Sequence, residues 1–243
     1  MKTFCALWNR ELAALFLSPI AYVMMMFFLL VTGCGFYWLV KENLEVTRST
    51  QGLMVVIWAC MLIVLPILTM RTFAEERKNG TFETLMTAPV RESAVVMAKF
   101  AGVWVFFMLM CAPTLLYLVT VALIAPDAAA LIDPASVICG YLTIGLIAAA
   151  FISLGMLASA ITSNQIIAAI ITFSVMSILF FGGLFEPHLS KNPLVRDIGS
   201  YLSPALHLME SARGVFDSRT VVFYLTTAVF FLFATVKTVE SRR

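Results

Sequence analysis

Six stretches without a single Lys, Arg, Asp or Glu divide this chain: residues 20–40, 53–70, 100–125, 135–161, 166–185 and 220–236. A helix that crosses a bilayer needs roughly 20 consecutive apolar residues, within a range of about 17 to 25. All six stretches reach that length, and the two longest exceed it and are expected to tilt, bend or protrude. Little sequence remains outside them for a soluble domain. Only 12% of the residues are charged and 61% are hydrophobic, against about a quarter charged in a soluble domain. The apolar runs are continuous and carry scattered Gly, Ser and Thr, where barrel strands would alternate every second residue. The expected fold is an all-α integral membrane protein with six transmembrane helices. Pro113, inside the third run, marks a kink site.

Six spans place both termini on one side. That side collects Lys2, Arg10, Arg71, Arg77, Lys78, Arg91, Lys99, Lys237, Arg242 and Arg243; the other holds Lys41, Arg48, Lys191, Arg196, Arg213 and Arg219. The excess of positive charge puts the termini in the cytoplasm. A net charge of +2 gives no reason to expect nucleic acid as a partner.

Residues 1–18 lack the pattern of a signal peptide. Phe4, Trp8, Leu12 and Leu15 share a helical stripe with Lys2, Asn9 and Arg10 off it, which describes an interfacial helix. Ser18-Pro19 has the form of an N-cap with proline at the first helical position. The five cysteines show no CxxC spacing and no neighbouring His, so they read as small apolar filler. VTGC, residues 31–34, matches a lipoprotein cleavage pattern at Cys34, but the apolar run continues through Val40 instead of entering a polar tether.

Against this background the stretch RTFAEERKNGTFETLMTAP, residues 71–89, is unusual, because it packs both signs of charge into one place. The apolar helix of the second span is expected to continue through Lys78 as a stiff extension of about 12 Å at 1.5 Å per residue. Asn79-Gly80 is a natural helix stop. Thr81 can cap a short second helix with Glu83 in its first turn, and Pro89 ends it. The bland reading is a solvated loop that fixes topology. The sharper reading is a docking surface for a cytosolic protein, favoured because topology signals require no acidic residues and four carboxylates lie within residues 75–92.

EERKNGTFETLMTAP, followed by Lys99-Phe100 at the entry to the third span, resembles the first cytoplasmic loop of ABC-2-type permeases, and most nearly those of the gliding-motility-associated subfamily. The resemblance covers nearly the whole chain, as one ABC-2 transmembrane domain over residues 1–243 with a type V exporter-like fold. It implies a coupling loop at residues 71–92 against a separate ABC ATPase subunit, with contacts at Glu75, Glu76, Arg77, Gly80, Thr81 and Glu83. It further implies a second permease copy as partner, re-entrant extracytoplasmic helices within residues 186–219, and residence in a bacterial inner membrane. On this reading the chain binds no cofactor, ATP and Mg being held by the partner, and a periplasmic-facing auxiliary protein as a further partner would mark the gliding-associated assembly.

Within the outer segment, Ser203-Pro204 repeats the cap-plus-proline start, and a short amphipathic helix is expected to end at Gly214. His188 and His207 lie 19 residues apart with no Cys near them and read as interfacial polar residues. Gly182-Gly183 reads as a packing or bending site. The apolar runs contain no ionisable side chain at depth for proton or ion coupling. Thr143, Ser153, Ser159, Thr172, Ser174 and Ser177 form a mildly polar stripe, read first as helix packing and second as a lining for an amphipathic substrate. No GxxxxGK[ST] loop is present, so ATP hydrolysis belongs to another chain. The expected function is an export permease subunit, with a mechanotransmission or scaffold role as the alternative.

Overall fold

The computed structural model describes residues 2–42, 46–80, 91–124, 133–189 and 202–241. These residues form helices and turns, with no strand among them. In chain order the helices are α1 (Lys2–Phe16), α2 (Pro19–Glu42), α3 (Val46–Thr69), α4 (Ala74–Lys78), α5 (Glu92–Cys111), α6 (Leu115–Ile124), α7 (Pro134–Ile161), α8 (Gln165–Leu189), α9 (Pro204–Ser211) and α10 (Ser218–Glu240). Among the described residues five segments are long and apolar enough to cross a membrane: Pro19–Lys41, Gln51–Lys78, Glu92–Leu123, Pro134–Ile161 and Ser218–Glu240. The fifth expected span, residues 166–185, falls within α8, whose apolar stretch Gln165–Phe181 is shorter. Pro113 acts where the sequence places it, inside a 3-10 turn, Ala112–Thr114, that separates α5 from α6. Cys34 lies well inside α2, which runs unbroken to Glu42.

The bundle is organised around α7, which packs against α3, α5, α8, α9 and α10. Small residues allow this. Membrane helices gain no hydrophobic drive from packing on one another and rely on close van der Waals approach. Ala148, Ala150, Ser153 and Ala160 are buried along α7. At Gly155 a Cβ atom would come within 2.2 Å of Thr69 Oγ1, so α3 and α7 touch at a separation only glycine permits. The polar stripe is largely consumed by packing, since Thr143, Ser153, Ser159 and Thr172 are fully buried and hydrogen-bonded. Along its length of about 40 Å, α7 has two polar ends that anchor different pieces of chain.

At its N-terminal end, Asp133 caps α7 by accepting from the N–H groups of Ala135 and Ser136, ahead of Pro134 at the first helical position. The short helix α9 is stitched there. Thr143 Oγ1 donates to Ser211 Oγ at 2.7 Å, and Ser136 Oγ donates to the carbonyl of Ala212. Gly214 follows with φ +80°, the left-handed conformation that ends a helix. Amphipathicity is as expected for α9: Leu208 and Ala212 are buried, Leu206 and Met209 exposed. Ser203 occupies the N-cap position but its hydroxyl makes no cap bond. His207 differs from the interfacial residue the sequence suggests. It is buried, with Nδ1 3.0 Å from the Tyr224 hydroxyl of α10. Residues 190–201, within the segment where re-entrant helices are expected, lie outside the described residues.

The second span corrects one expectation. Its helix does not run unbroken to Lys78. It ends at Thr69, a turn occupies residues 70–73, and α4 begins at Ala74. The backbone bonds a continuous helix would make here are replaced by a side chain from α7, described below.

Two measurements follow from this packing. Gly155→Ala forces α3 away from α7 and is expected to cost about 1–3 kcal/mol, seen as a lower thermal midpoint in detergent. Burial holds the His207 imidazole below its ordinary pKa, with the Glu210 and Asp217 carboxylates opposing. Its folded pKa is depressed, so the unfolded chain takes up the proton first and stability falls as pH drops through about 6.5. The thermal midpoint is expected to fall between pH 7.5 and 5.5, and His207→Gln to remove that histidine's share of the fall.

Candidate functional site

The C-terminal end of α7 meets the charged stretch. Ser159 Oγ accepts from the N–H groups of both Phe73 and Ala74, at 3.1 and 3.0 Å, and donates to the Met70 carbonyl at 3.0 Å. A hydroxyl has one proton and two lone pairs, and all three are used. These contacts substitute for the two i→i−4 bonds that Phe73 and Ala74 would donate in an unbroken helix. Thr72 closes the turn by bonding Thr69 O through both its N–H and its hydroxyl. Phe73 and Ala74 are wholly buried by the result. The junction between α3 and α4 is therefore held by α7 and does not project freely as a lever.

A second attachment is ionic. Lys99, near the middle of α5, has its side chain 3% exposed. Its ammonium bonds Glu76 Oε1 of α4 at 2.8 Å and both carboxylate oxygens of Glu11 in α1 at 3.2 Å. The Phe73 ring lies 5.5 Å from Nζ, within cation–π range. An ammonium removed from water costs several kcal/mol unless it is paired and hydrogen-bonded. Two carboxylates meet that need, and in doing so they tie α1, α4 and α5 to one point. Packing reinforces the link, because α1 lies along α5 and a Cβ at Gly102 would come within 3.3 Å of Glu11.

Arg71 makes a third connection. It pairs with Glu75 through two bonds of 2.8 and 3.0 Å, the bidentate geometry suited to a guanidinium. Its Nη1 also donates to Ser18 Oγ at 3.0 Å. The Ser18 hydroxyl, expected as a helix cap, therefore ties the α1–α2 turn to the α3–α4 turn.

The residues drawn from the resemblance separate into groups. Glu75 and Glu76 bond within the protein, to Arg71 and Lys99 respectively. Arg77 lies in the same short helix, half-buried. Asn79 is the C-cap of α4 and Gly80 follows with φ +70° and open space about it, so the expected stop is where the sequence puts it. Lys78, Asn79 and Gly80 are exposed. Thr81 and Glu83 lie outside the described residues, as does the expected second short helix.

Sequence reasoning did not identify Glu11, and it read Ser18 only as a helix cap and Ser159 only as part of the polar packing stripe. Glu11 left a signal: it is the one carboxylate in α1, and it falls between Trp8 and Leu15 on the apolar stripe, where a solvated charge has no reason to be. The partners of Ser159 left none, since they are more than eighty residues away.

Among the described residues no cluster of His, Cys, Asp or Glu is arranged to hold a metal. A family model described as ABC-2 family transporter protein matches residues 39–236. No curated protein matches the chain.

Removing the shared cation tests this geometry. Lys99→Met leaves two carboxylates facing each other and is expected to cost about 3 kcal/mol, at the low end for a broken buried pair because both keep partial access to water. Glu11→Gln leaves Glu76 in place and is expected to cost about 1 kcal/mol. Thermal unfolding of the two variants should fall in that order, and equal midpoints would contradict the shared pairing.

Proposed function

The chain belongs to the ABC-2 transporter family, and on that premise we propose that it is the membrane subunit through which a separate ABC ATPase drives export of an amphipathic substrate. Membership supports the coarser statement directly: this is the permease part of an ABC transporter, a membrane protein with no catalytic centre of its own assigned. The observation that carries the finer reading is the latched junction. Its exposed tip, Lys78 to Gly80, is the outward end of a segment joined to α7 by Ser159 and to α1 and α5 by Lys99.

A force applied at the tip therefore reaches three helices and the interfacial segment together. In this reading the ATPase grips the tip and the following residues, Thr81 and Glu83 included, and its closure on ATP and Mg shifts the bundle between inward- and outward-accessible packings. Glu75 and Glu76 act from behind the contact by keeping α4 in place. Arg77, Gly80, Thr81 and Glu83 form or shape the contact itself. Both termini then lie in the cytoplasm, residues 1–18 lie along the cytoplasmic face of a bacterial inner membrane, and α9 sits at the opposite face.

A second copy of the chain completes the pathway. Exposed apolar side chains on α2 and α8, among them Val23, Met26, Ile170 and Ile178, provide lipid-facing or copy-facing surface, and one six-helix unit leaves little room for a route of its own. The same junction would serve equally to transmit force to a periplasmic partner, as in the gliding-associated assemblies. Adjacent genes for an ATPase and a large periplasmic-facing protein would favour that second use.

Charge reversal at the tip tests the coupling. Reversing Glu75 and Glu76 would also break the internal pairs, so the informative variant is Lys78→Glu with Glu83→Lys. Stimulation of the partner's ATPase is expected to fall to the partner's basal rate, with membrane insertion and thermal midpoint unchanged. Full stimulation in that variant would refute the proposed contact.

A further inference from the structure

Beside the latched junction, α1, α2, α3, α4 and α5 line an open-sided cavity of about 260 Å³. It has two characters. One wall is apolar, formed by Met24, Ile67, Leu68 and Val103; the other carries Arg10, Glu11, Arg71, Glu75, Glu76 and Lys99. Three cations and three carboxylates sum to zero. A net anion entering this cavity meets three carboxylates, and a net cation meets three cations. A ligand carrying one charge of each sign on a short stem, with an apolar tail, meets complementary groups throughout.

The remaining bonding capacity narrows the choice. Among the described residues Arg10 makes no ion pair, and it is exposed at the cavity's edge, so its guanidinium is available to a phosphate. Arg71 spends three N–H groups on Glu75 and Ser18, leaving two of its five. The Glu75 carboxylate accepts two bonds from Arg71 and retains lone pairs for a further donor. A primary ammonium supplies such a donor, whereas a quaternary one does not. The volume falls just below the roughly 300–1,000 Å³ of sites that enclose a whole drug-sized ligand. It suits a headgroup with the first methylenes of its chains, the remainder lying in the bilayer beside Ile20, which is exposed on the cavity's rim.

We propose that this cavity seats one zwitterionic phospholipid with a phosphoethanolamine headgroup, its phosphate on Arg10 and Arg71, its ammonium on Glu75, and its acyl chains against Met24, Ile67 and Leu68. The lipid bridges the interfacial helix to the α3–α4 junction, adding to the contacts that hold the junction in place. Only the choice of leaflet, the cytoplasmic one, rests on the orientation proposed above.

Native mass spectrometry of the full-length protein in detergent, with no ATPase present, tests the proposal separately from coupling. The protein is titrated with dioleoyl phosphatidylethanolamine, phosphatidylcholine and phosphatidylglycerol. Binding of the ethanolamine lipid is expected at concentrations about tenfold lower than either other lipid, and Arg10→Ala is expected to weaken it about tenfold through loss of a charge-assisted bond. Ala21→Trp, which fills the cavity, should abolish it. Soluble phosphoethanolamine at the lipid's concentration should not compete. Equal or tighter binding of phosphatidylglycerol, competition by the free headgroup, or undiminished binding in Arg10→Ala at an unchanged thermal midpoint would each overturn the assignment. Arg10 is exposed, so that variant remains informative even if Ala21→Trp fails to fold.

Discussion

A lysine ammonium withdrawn from water at the foot of a membrane bundle must find carboxylates, and Lys99 finds two. Much of this end of the molecule follows from that requirement. Glu11 comes from the first helix and Glu76 from the short helix after the second span, so satisfying one charge fixes three elements that are distant in sequence. The pairing adds little net stability compared with an apolar side chain of the same shape, since burial of charge offsets much of the attraction. Its consequence is positional: α1 and α4 have one arrangement in which no buried charge is left unpaired.

The second attachment works through a different economy. Where α3 ends, two backbone N–H groups and a carbonyl lose their helical partners, and buried groups of that kind are costly to leave unpaired. One serine hydroxyl of α7 meets all three. Gly155, one turn earlier on α7, lets Thr69 approach closely enough for that contact to form. The break in the helix, the small residues of α7 and the burial of Phe73 are thus parts of a single fit. A continuous extension would move with α3 alone. A broken and latched one moves with α1, α5 and α7 as well, which is what the proposed coupling role requires.

The apolar runs made the helical membrane architecture legible, because run length against bilayer thickness is a strong constraint. Pro113 and Asn79-Gly80 were legible for a local reason, each acting through its own backbone. The amphipathic α9 with its glycine stop was legible through periodicity. The break at residues 70–73 was not, since RTFAEERK is compatible with helix throughout and the cause lies in Ser159. Likewise the charges of residues 75 and 76 were visible, but charge alone does not distinguish a carboxylate facing a partner from one facing a buried lysine. Only Glu11 on an apolar stripe and Lys99 amid apolar neighbours hinted that some of these charges face inward.

The charged junction is latched to the bundle and is not a free extension. Site-resolved hydrogen exchange of the protein in a bilayer tests it most directly, at the amides of Phe73 and Ala74. Slow exchange in the native chain, becoming fast in Ser159→Ala while the amides of α5 stay protected, is the expected result. Fast exchange at both amides in the native chain would contradict it.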